Sequence, residues 1–412
     1  MQRESSYITT DYQAEDALGL EQIARIGAQK MLAIALEAEV DGYIQRFSHL
    51  KTQEGKQDVV RNGYHKSRKM MTGLGALEVT VPRTRSREGE IERFSSALIP
   101  KYMRRSLELD DALPLFYLGG LSNNDFIPCF EKLFGQKPNG MSSASITRLK
   151  KVWQGQMLQW RKRDLSDCRY CYLWVDGIHF NLRLEEGRLC VLVAIGARQD
   201  GKKELVAVAG GYRESSESWK ELLRELKRRG MTCPKLCIGD GALGFWKALG
   251  DIYPEADHQR CWVHKTANIL DKMPKSVQPQ AKTLIHDIYR AENEKNARAS
   301  YQEFIKRYSA KYPKAVYCLQ KDEESLFSFY SFPAEHWQHI RSTNVIESTF
   351  ATVRLRTKKT RGQGTLEMTL AMVFKLAERA SMRWRKLRGY KLIGKVNEGV
   401  VFKDGKEVKL AA

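Results

Sequence analysis

Apolar residues recur at helical spacing along residues 18–47, where Leu18, Leu20, Ile23, Ile26, Leu32, Ile34, Leu36, Val40 and Ile44 form a stripe. A helix is predicted there, its stripe serving either the core or dimerisation. Residues 51–71 are polar and basic and end in Arg61-Asn62-Gly63-Tyr64-His65-Lys66-Ser67-Arg68-Lys69. Asn62-Gly63 predicts a tight turn, and the alternation from Leu77 to Arg83 predicts a strand after it. From residue 108 the spacing is helical again, over 110–118, 123–134 and 142–163, with Gly119-Gly120 between the first two. Ser122 and Ser143 are N-cap candidates, and the three helices resemble a helix-turn-helix unit, with an ordinary amphipathic linker as the alternative.

The next segment changes period. Residues 169–183, 189–198 and 203–212 read as three consecutive strands, the second turn being Gln199-Asp200-Gly201. An amphipathic helix over 215–229 carries Trp219, Leu222, Leu223 and Leu226 on one face. A strand over 235–239, a helix over 242–249 and a short strand over 257–262 follow. Residues 277–330 contain no glycine and are rich in helix formers. They are expected to form an all-α insertion whose aromatic residues supply its own core. The pattern predicts an α/β fold behind a mainly helical N-terminal region.

Within these elements three carboxylates stand out. Asp176 lies inside the apolar run Tyr172–Ile178, and Asp240 ends the run Lys235–Gly239. An acid in or at the tip of such a run loses hydration unless a cation or hydrogen bonds compensate. Glu347 falls one turn into a helix opening at Ser342 or Thr343. Oxygen ligands drawn from separate elements suit Mg²⁺. The plainer alternatives are Asp-Gly turns at Asp176 and Asp240 and a solvated helical glutamate at Glu347. Glu347 lies 107 positions after Asp240, more than one crossover needs, which is what calls for the insertion.

Charge points to a polyanionic partner. The chain has 69 Lys and Arg against 49 Asp and Glu, net +20. Residues 341–395 carry fourteen Lys or Arg against three Glu, net +11, whereas residues 1–50 carry four against eight acids, net −4. DNA is therefore expected at the later segments, and packing or dimerisation at the start. No apolar run approaches the ~20 residues of a membrane span, no leader pattern opens the chain, and the eight Cys form no framework. A cytoplasmic protein with reduced thiols is expected. Cys168 and Cys171 have zinc-like spacing without an evident second pair.

The runs Leu173–Phe180, Ile238–Ala242, Gln259-Arg260-Cys261-Trp262-Val263-His264-Lys265-Thr266-Ala267-Asn268 and Arg341–Glu347 closely resemble the Mutator-type transposases of bacterial insertion sequences. The resemblance covers nearly the whole chain, in order. It implies a ribonuclease H-like catalytic core, whose order of elements matches the one read above. It also implies a DDE triad at Asp176, Asp240 and Glu347, DNA cleavage and strand transfer at the terminal inverted repeats of an element, and a homodimer on paired ends near the nucleoid. Two Mg²⁺ ions, with Mn²⁺ as a substitute, would serve the reaction. The alternatives are a nuclease of this fold that does not join, and a non-catalytic regulator derived from a transposase.

The expected organisation is an N-terminal region over 1–105, a helix-turn-helix-like region over 106–165, the first part of the core over 166–274, the insertion over 275–335, the second part over 336–395 and a tail over 396–412. Cys261 and His264 have spacing that zinc could use, although two ligands do not close a site; His264 is the candidate to orient the carboxylates. Arg354, two turns after Glu347 on the same helical face, is a candidate to grip the scissile phosphate. The expected DNA contacts are Arg61, Lys66, Arg68 and Lys69, then Arg148, Lys150 and Lys151. Further along they are Trp337, Arg341, Asn344, Arg354, Arg356, Lys358, Lys359 and Arg361. Trp337, just before the Glu347 helix, is a candidate to stack on an unpaired base at a cleaved end, with ordinary packing as the alternative.

Overall fold

The computed structural model describes residues 19–89, 91, 93–121, 125–134, 143–181, 188–211, 214–241, 243–360 and 365–408. Ser122, Arg361 and Leu18 lie outside them, as do the side chains of Ser143, Lys358 and Lys359. The chain separates into two compact units, residues 1–147 and 148–412.

In the first unit, α1 (Leu20–Arg46) is followed by β1 (Val59–Tyr64), β2 (Arg68–Thr72), β3 (Gly75–Val79) and β4 (Pro82–Ser86). β1 pairs antiparallel with β4, and β2 with β3. Helix predominates among the described residues of the N-terminal region, but between residues 59 and 86 it is β-structure. The predicted strand from Leu77 to Arg83 falls across β3 and β4, whereas β1 and β2 are too short and polar to register as apolar alternation. Asn62-Gly63 does not form a turn either. It lies within β1, where the ladder shifts register between Arg61 and Tyr64 and Gly63 adopts φ +65°, the signature of a bulge. Only part of the α1 stripe is internal: Leu36 packs with Ala28, Leu32, Met70, Leu77, Val79 and Ile99, while Leu20, Met31 and Ile34 are exposed. α2 (Leu107–Gly119) and α3 (Phe126–Phe134) meet through Phe116 on Phe130, edge-on at 5.4 Å, and Tyr117 stacked on Phe126. α4 (Ser143–Arg161) follows, most of it beyond residue 147 and so in the second unit.

The second unit is built on a five-stranded sheet of β5 (Tyr170–Asn181), β6 (Arg188–Arg198), β7 (Lys203–Gly211), β8 (Leu236–Gly239) and β9 (Asp257–Arg260). Their order across the sheet is β7-β6-β5-β8-β9. β5, β6 and β7 form an antiparallel meander; β8 and β9 run parallel to β5. The parallel strands require crossovers, supplied by α5 (Ser216–Arg228) and α6 (Leu243–Ile252). Ser215 caps α5, its hydroxyl accepting from Ser218 N. Trp219, Leu222, Leu223 and Leu226 of α5 and Phe245 and Leu249 of α6 pack with Leu173, Val175 and Leu192 on one face of the sheet.

α7 (Trp262–Leu270) leads into α8 (Gln278–Arg290), α9 (Glu294–Tyr308), α10 (Pro313–Gln320) and α11 (Glu323–Phe327). Tyr301, Phe304, Phe327, Phe329 and Tyr330 are buried among these helices, as a self-contained helical segment requires. α12 (Trp337–Ile340), α13 (Asn344–Thr360) and α14 (Leu366–Ser381) then return to the sheet, α14 against β7. α15 (Ile393–Asn397) and the hairpin of β10 (Phe402–Lys403) and β11 (Lys406–Glu407) end the described chain. No helix among the described residues is long and apolar enough to cross a membrane.

Candidate active site

The parallel register of β5 and β8 brings two acids to one level. Tyr172 pairs with Leu236, Leu173 with Cys237 and Trp174 with Ile238. Asp176 and Asp240 lie two residues beyond Trp174 and Ile238, so the same register sets them side by side at the carboxyl end of the strands. Neither is in a hairpin turn. Asp176 is 7 % exposed and accepts Gly177 N at 2.8 Å. Burial, then the charge of Asp240, pushes its pKa up to about 7, with His264 pulling it partly back.

Glu347 enters from the other side of the insertion. The carbonyl of Thr343 accepts from the amides of Ile346 and Glu347, so α13 starts at the predicted place with Glu347 in its first turn. Cys261 follows β9 directly and its amide continues the ladder to Gly239 O. One turn later on α7, His264 Nε2 lies 3.4 Å from Glu347 Oε1. The buried Thr343 hydroxyl is 3.3 Å from both Cys261 Sγ and His264 Nδ1. The Cys261 hydrogen bond and the charges of Cys261, Asp176 and Glu347 outweigh burial and push the pKa of His264 up to about 9. Burial pushes the Cys261 thiol up, but the contacts with His264 and Thr343 more than reverse it and leave the thiol below its ordinary value. Cys261, His264 and Glu347 together form a trio with metal-ligand spacing that the isolated Cys-x-x-His could not provide.

The remaining expected residues fall into different settings. Arg356 is 1 % exposed: Ile346, Thr349, Phe350, Val353 and Arg356 make up the inward face of α13, so this arginine does not lie on a DNA-facing surface. Arg354, on the outer face, is exposed with its guanidinium 5.8 Å from the centre of the Phe350 ring. Arg341 donates to Tyr289 O at 2.8 Å and lies over the Tyr289 ring, which makes it a brace to α8 instead of a free phosphate contact. Trp337 donates to Phe332 O at 2.8 Å and packs edge-on against Tyr330 and Phe329, so its half-buried ring takes part in local packing. Asn344, Lys66, Lys69, Arg148 and Lys151 are exposed, and Lys150 is half-buried. Arg68 donates to Pro100 O at 3.0 Å. Arg61 pairs with Glu37 and Asp41 of α1, which accounts for part of that helix's acidity.

Two groups had not been foreseen. Glu214, just before the α5 cap, is 19 % exposed and lies 3.3 Å from His179 Nε2. Its carboxyl is pushed above the ordinary range by burial and then by Asp240. An acid between the third strand and a helix N-cap is the faint signal that could have marked it. Behind His264, Asp322 receives Lys265 Nζ at 2.5 Å and Arg260 Nε at 3.2 Å, with Lys265 and Arg260 both buried.

A family model described as "Transposase, Mutator family" matches residues 2–386. The chain belongs to the Mutator family of transposases. Among relatives of this transposase, that for insertion sequence element IS6120 of Mycolicibacterium smegmatis is 51% identical over 298 residues, 72% of this chain and 92% of the relative. That for element IST2 of Acidithiobacillus ferrooxidans is 46% identical over 66% of this chain and 93% of the relative. That for element ISRM5 of Rhizobium meliloti is 29% identical over 90% of both.

Proposed function

We infer that this Mutator-family transposase binds the terminal inverted repeats of an insertion sequence and carries out DNA cleavage and strand transfer at Asp176, Asp240 and Glu347. The observation that supports this most directly is the register that sets Asp176 beside Asp240, together with the His264–Glu347 contact at 3.4 Å. The sheet order β7-β6-β5-β8-β9, antiparallel in its first three strands and parallel in its last two, supports reading the unit as a ribonuclease H-like core interrupted by the helical segment of residues 275–335. We take the helices of residues 106–165 as the end-reading region and a homodimer on paired ends as the working assembly, near the nucleoid.

The donors fit Mg²⁺: carboxylate oxygens from three separate elements, one of them buried and raised by a like charge that a divalent cation would relieve. Two Mg²⁺ ions, or Mn²⁺ in their place, would stabilise the attacking and leaving oxygens of an in-line displacement at phosphorus. Asp176, Asp240 and Glu347 would hold them. His264 orients the Glu347 carboxylate through Nε2, Thr343 braces the imidazole at Nδ1, and the exposed guanidinium of Arg354 would contact the phosphate. No covalent protein intermediate is required.

Labelled DNA carrying candidate element ends, incubated with the protein and Mg²⁺, tests this by mapping the cut and joined strands. Asp176→Asn, Asp240→Asn and Glu347→Gln should each abolish both steps while end binding persists. Cleavage without joining would reduce the protein to a nuclease, and wild-type activity in any one variant would remove that residue from the triad.

A further inference from the structure

Successive residues of a strand face opposite sides of the sheet, so Gly177 and His179 of β5 share the face opposite Asp176. Tyr172 and Trp174, on the Asp176 side, are covered by the segment that leads into α13: the Tyr172 hydroxyl lies 2.6 Å from His336 Nδ1, and Trp174 Nε1 donates to His339 O at 2.9 Å. The other side has its own acid. A Cβ on Gly177 would come within 2.7 Å of Glu214 Cδ and closer still to Oε1, and His179 Nε2 lies 3.3 Å from the same oxygen. Gly177 shows no positive φ, so conformational freedom does not explain the glycine; the missing side chain is room for the Glu214 carboxyl. The glutamate's backbone is confined as well, because a Cβ on Gly244 would collide with Glu214 O.

Asp240, at the tip of β8, interacts electrostatically with both sides, with Asp176 and with Glu214. Cys190 stands opposite His179 across the β5–β6 ladder, and His179, Cys190 and Glu214 have metal-ligand spacing. Burial and the surrounding acids push the Cys190 thiol up to about 12.

We propose that Glu214 is a fourth carboxylate of the cation-binding centre, acting with Asp240 on the side of β5 opposite Glu347, and that His179 is its positioning residue. This rests on the metal-dependent reading of Asp176, Asp240 and Glu347. It adds that the carboxylates straddle the end of the sheet, with Asp240 common to both sides, so that an ion held with Glu214 is separable from one held with Glu347.

The test is a Mn²⁺ titration of the full chain followed by electron paramagnetic resonance, with thermal melts as a check on folding. Wild type should bind two ions. Glu214→Gln should retain one, with cleavage of element ends lost. Gly177→Ala should reproduce that loss although it removes no ligand, because its methyl group displaces the Glu214 carboxyl; this variant keeps the test alive if Glu214→Gln does not fold. His179→Ala should keep both ions with the weaker one loosened about tenfold. Two ions in wild type with unchanged number and affinity in Glu214→Gln and Gly177→Ala would overturn the role of Glu214 and leave the triad standing. Active wild-type protein that binds no Mn²⁺ would instead overturn the metal-dependent reading on which it rests.

Discussion

Lys265 Nζ meets Asp322 Oδ2 at 2.5 Å, joining α7 to the start of α11 across 57 residues of sequence. Lys265 follows His264 directly, so this contact anchors the helix that carries the imidazole to the inserted helical segment. Arg260, the last residue of β9, shares the same carboxylate. Gln259 adds neutral hydrogen bonds to Leu326 O and from Phe329 N. The insertion is thus tied to the sheet through polar groups immediately behind the site.

Removing that carboxylate should be costly. Asp322→Ala leaves Lys265 and Arg260 buried without their shared acceptor, and a loss of ~3–5 kcal/mol in urea unfolding is expected. A loss below ~1 kcal/mol would mean that the two cations find other compensation.

Asp176→Asn should stabilise the protein while abolishing catalysis. The folded pKa of Asp176, about 7, lies above its unfolded value, so its ionisation opposes folding: the stability present below the unfolded pKa is lost as pH rises through 7. An amide removes that penalty. Thermal melts without divalent cation should separate mutant and wild type increasingly from pH 5 to pH 8, the mutant higher. Equal melting at pH 8 would show that Asp176 is not strained by burial.

His264 should act in the opposite sense. Its folded pKa of about 9 exceeds the unfolded value, and the imidazolium is stabilised by its partners. Its contribution is complete below the unfolded pKa of about 6.5 and disappears as pH rises through 9. The stability gap between wild type and His264→Gln, measured by chemical unfolding, should therefore be widest near pH 6 and close above pH 9. A gap independent of pH would remove the charge from the explanation.

Arg354 and Arg356 should behave differently despite lying two residues apart. Arg356→Ala removes a buried stem and head from the inner face of α13 and should lower stability by ~2 kcal/mol or more. Arg354→Ala should change stability by less than ~0.5 kcal/mol and depress single-turnover cleavage or joining by about one to three orders of magnitude. The same modest binding defect in both, with an unchanged rate, would make Arg354 an ordinary phosphate contact.

Local pattern was sufficient for much of the second unit. Alternation marked β5, β6 and β7, the 3.6-residue period marked α5, and the absence of glycine from residues 277–330 marked the helices there, because each of these signals is carried by neighbours in sequence. Asp176 and Asp240 were legible for the same reason: a charge inside or at the end of an apolar run is anomalous whatever surrounds it. Tertiary structure alone decided which charges face inward. Arg356 and Arg354 belong to one basic run, and only the packing of α13 assigns their faces. Arg61, Arg341 and Trp337 acquired partners 20 or more residues away or in adjoining turns, beyond the reach of composition. β1 and β2 went unread, since short strands gain their stability from pairing more than from their own hydrophobicity. Glu214 was invisible for the clearest reason: its meaning lies in a glycine 37 positions earlier, and only the fold brings the missing side chain and the carboxyl that fills its place together.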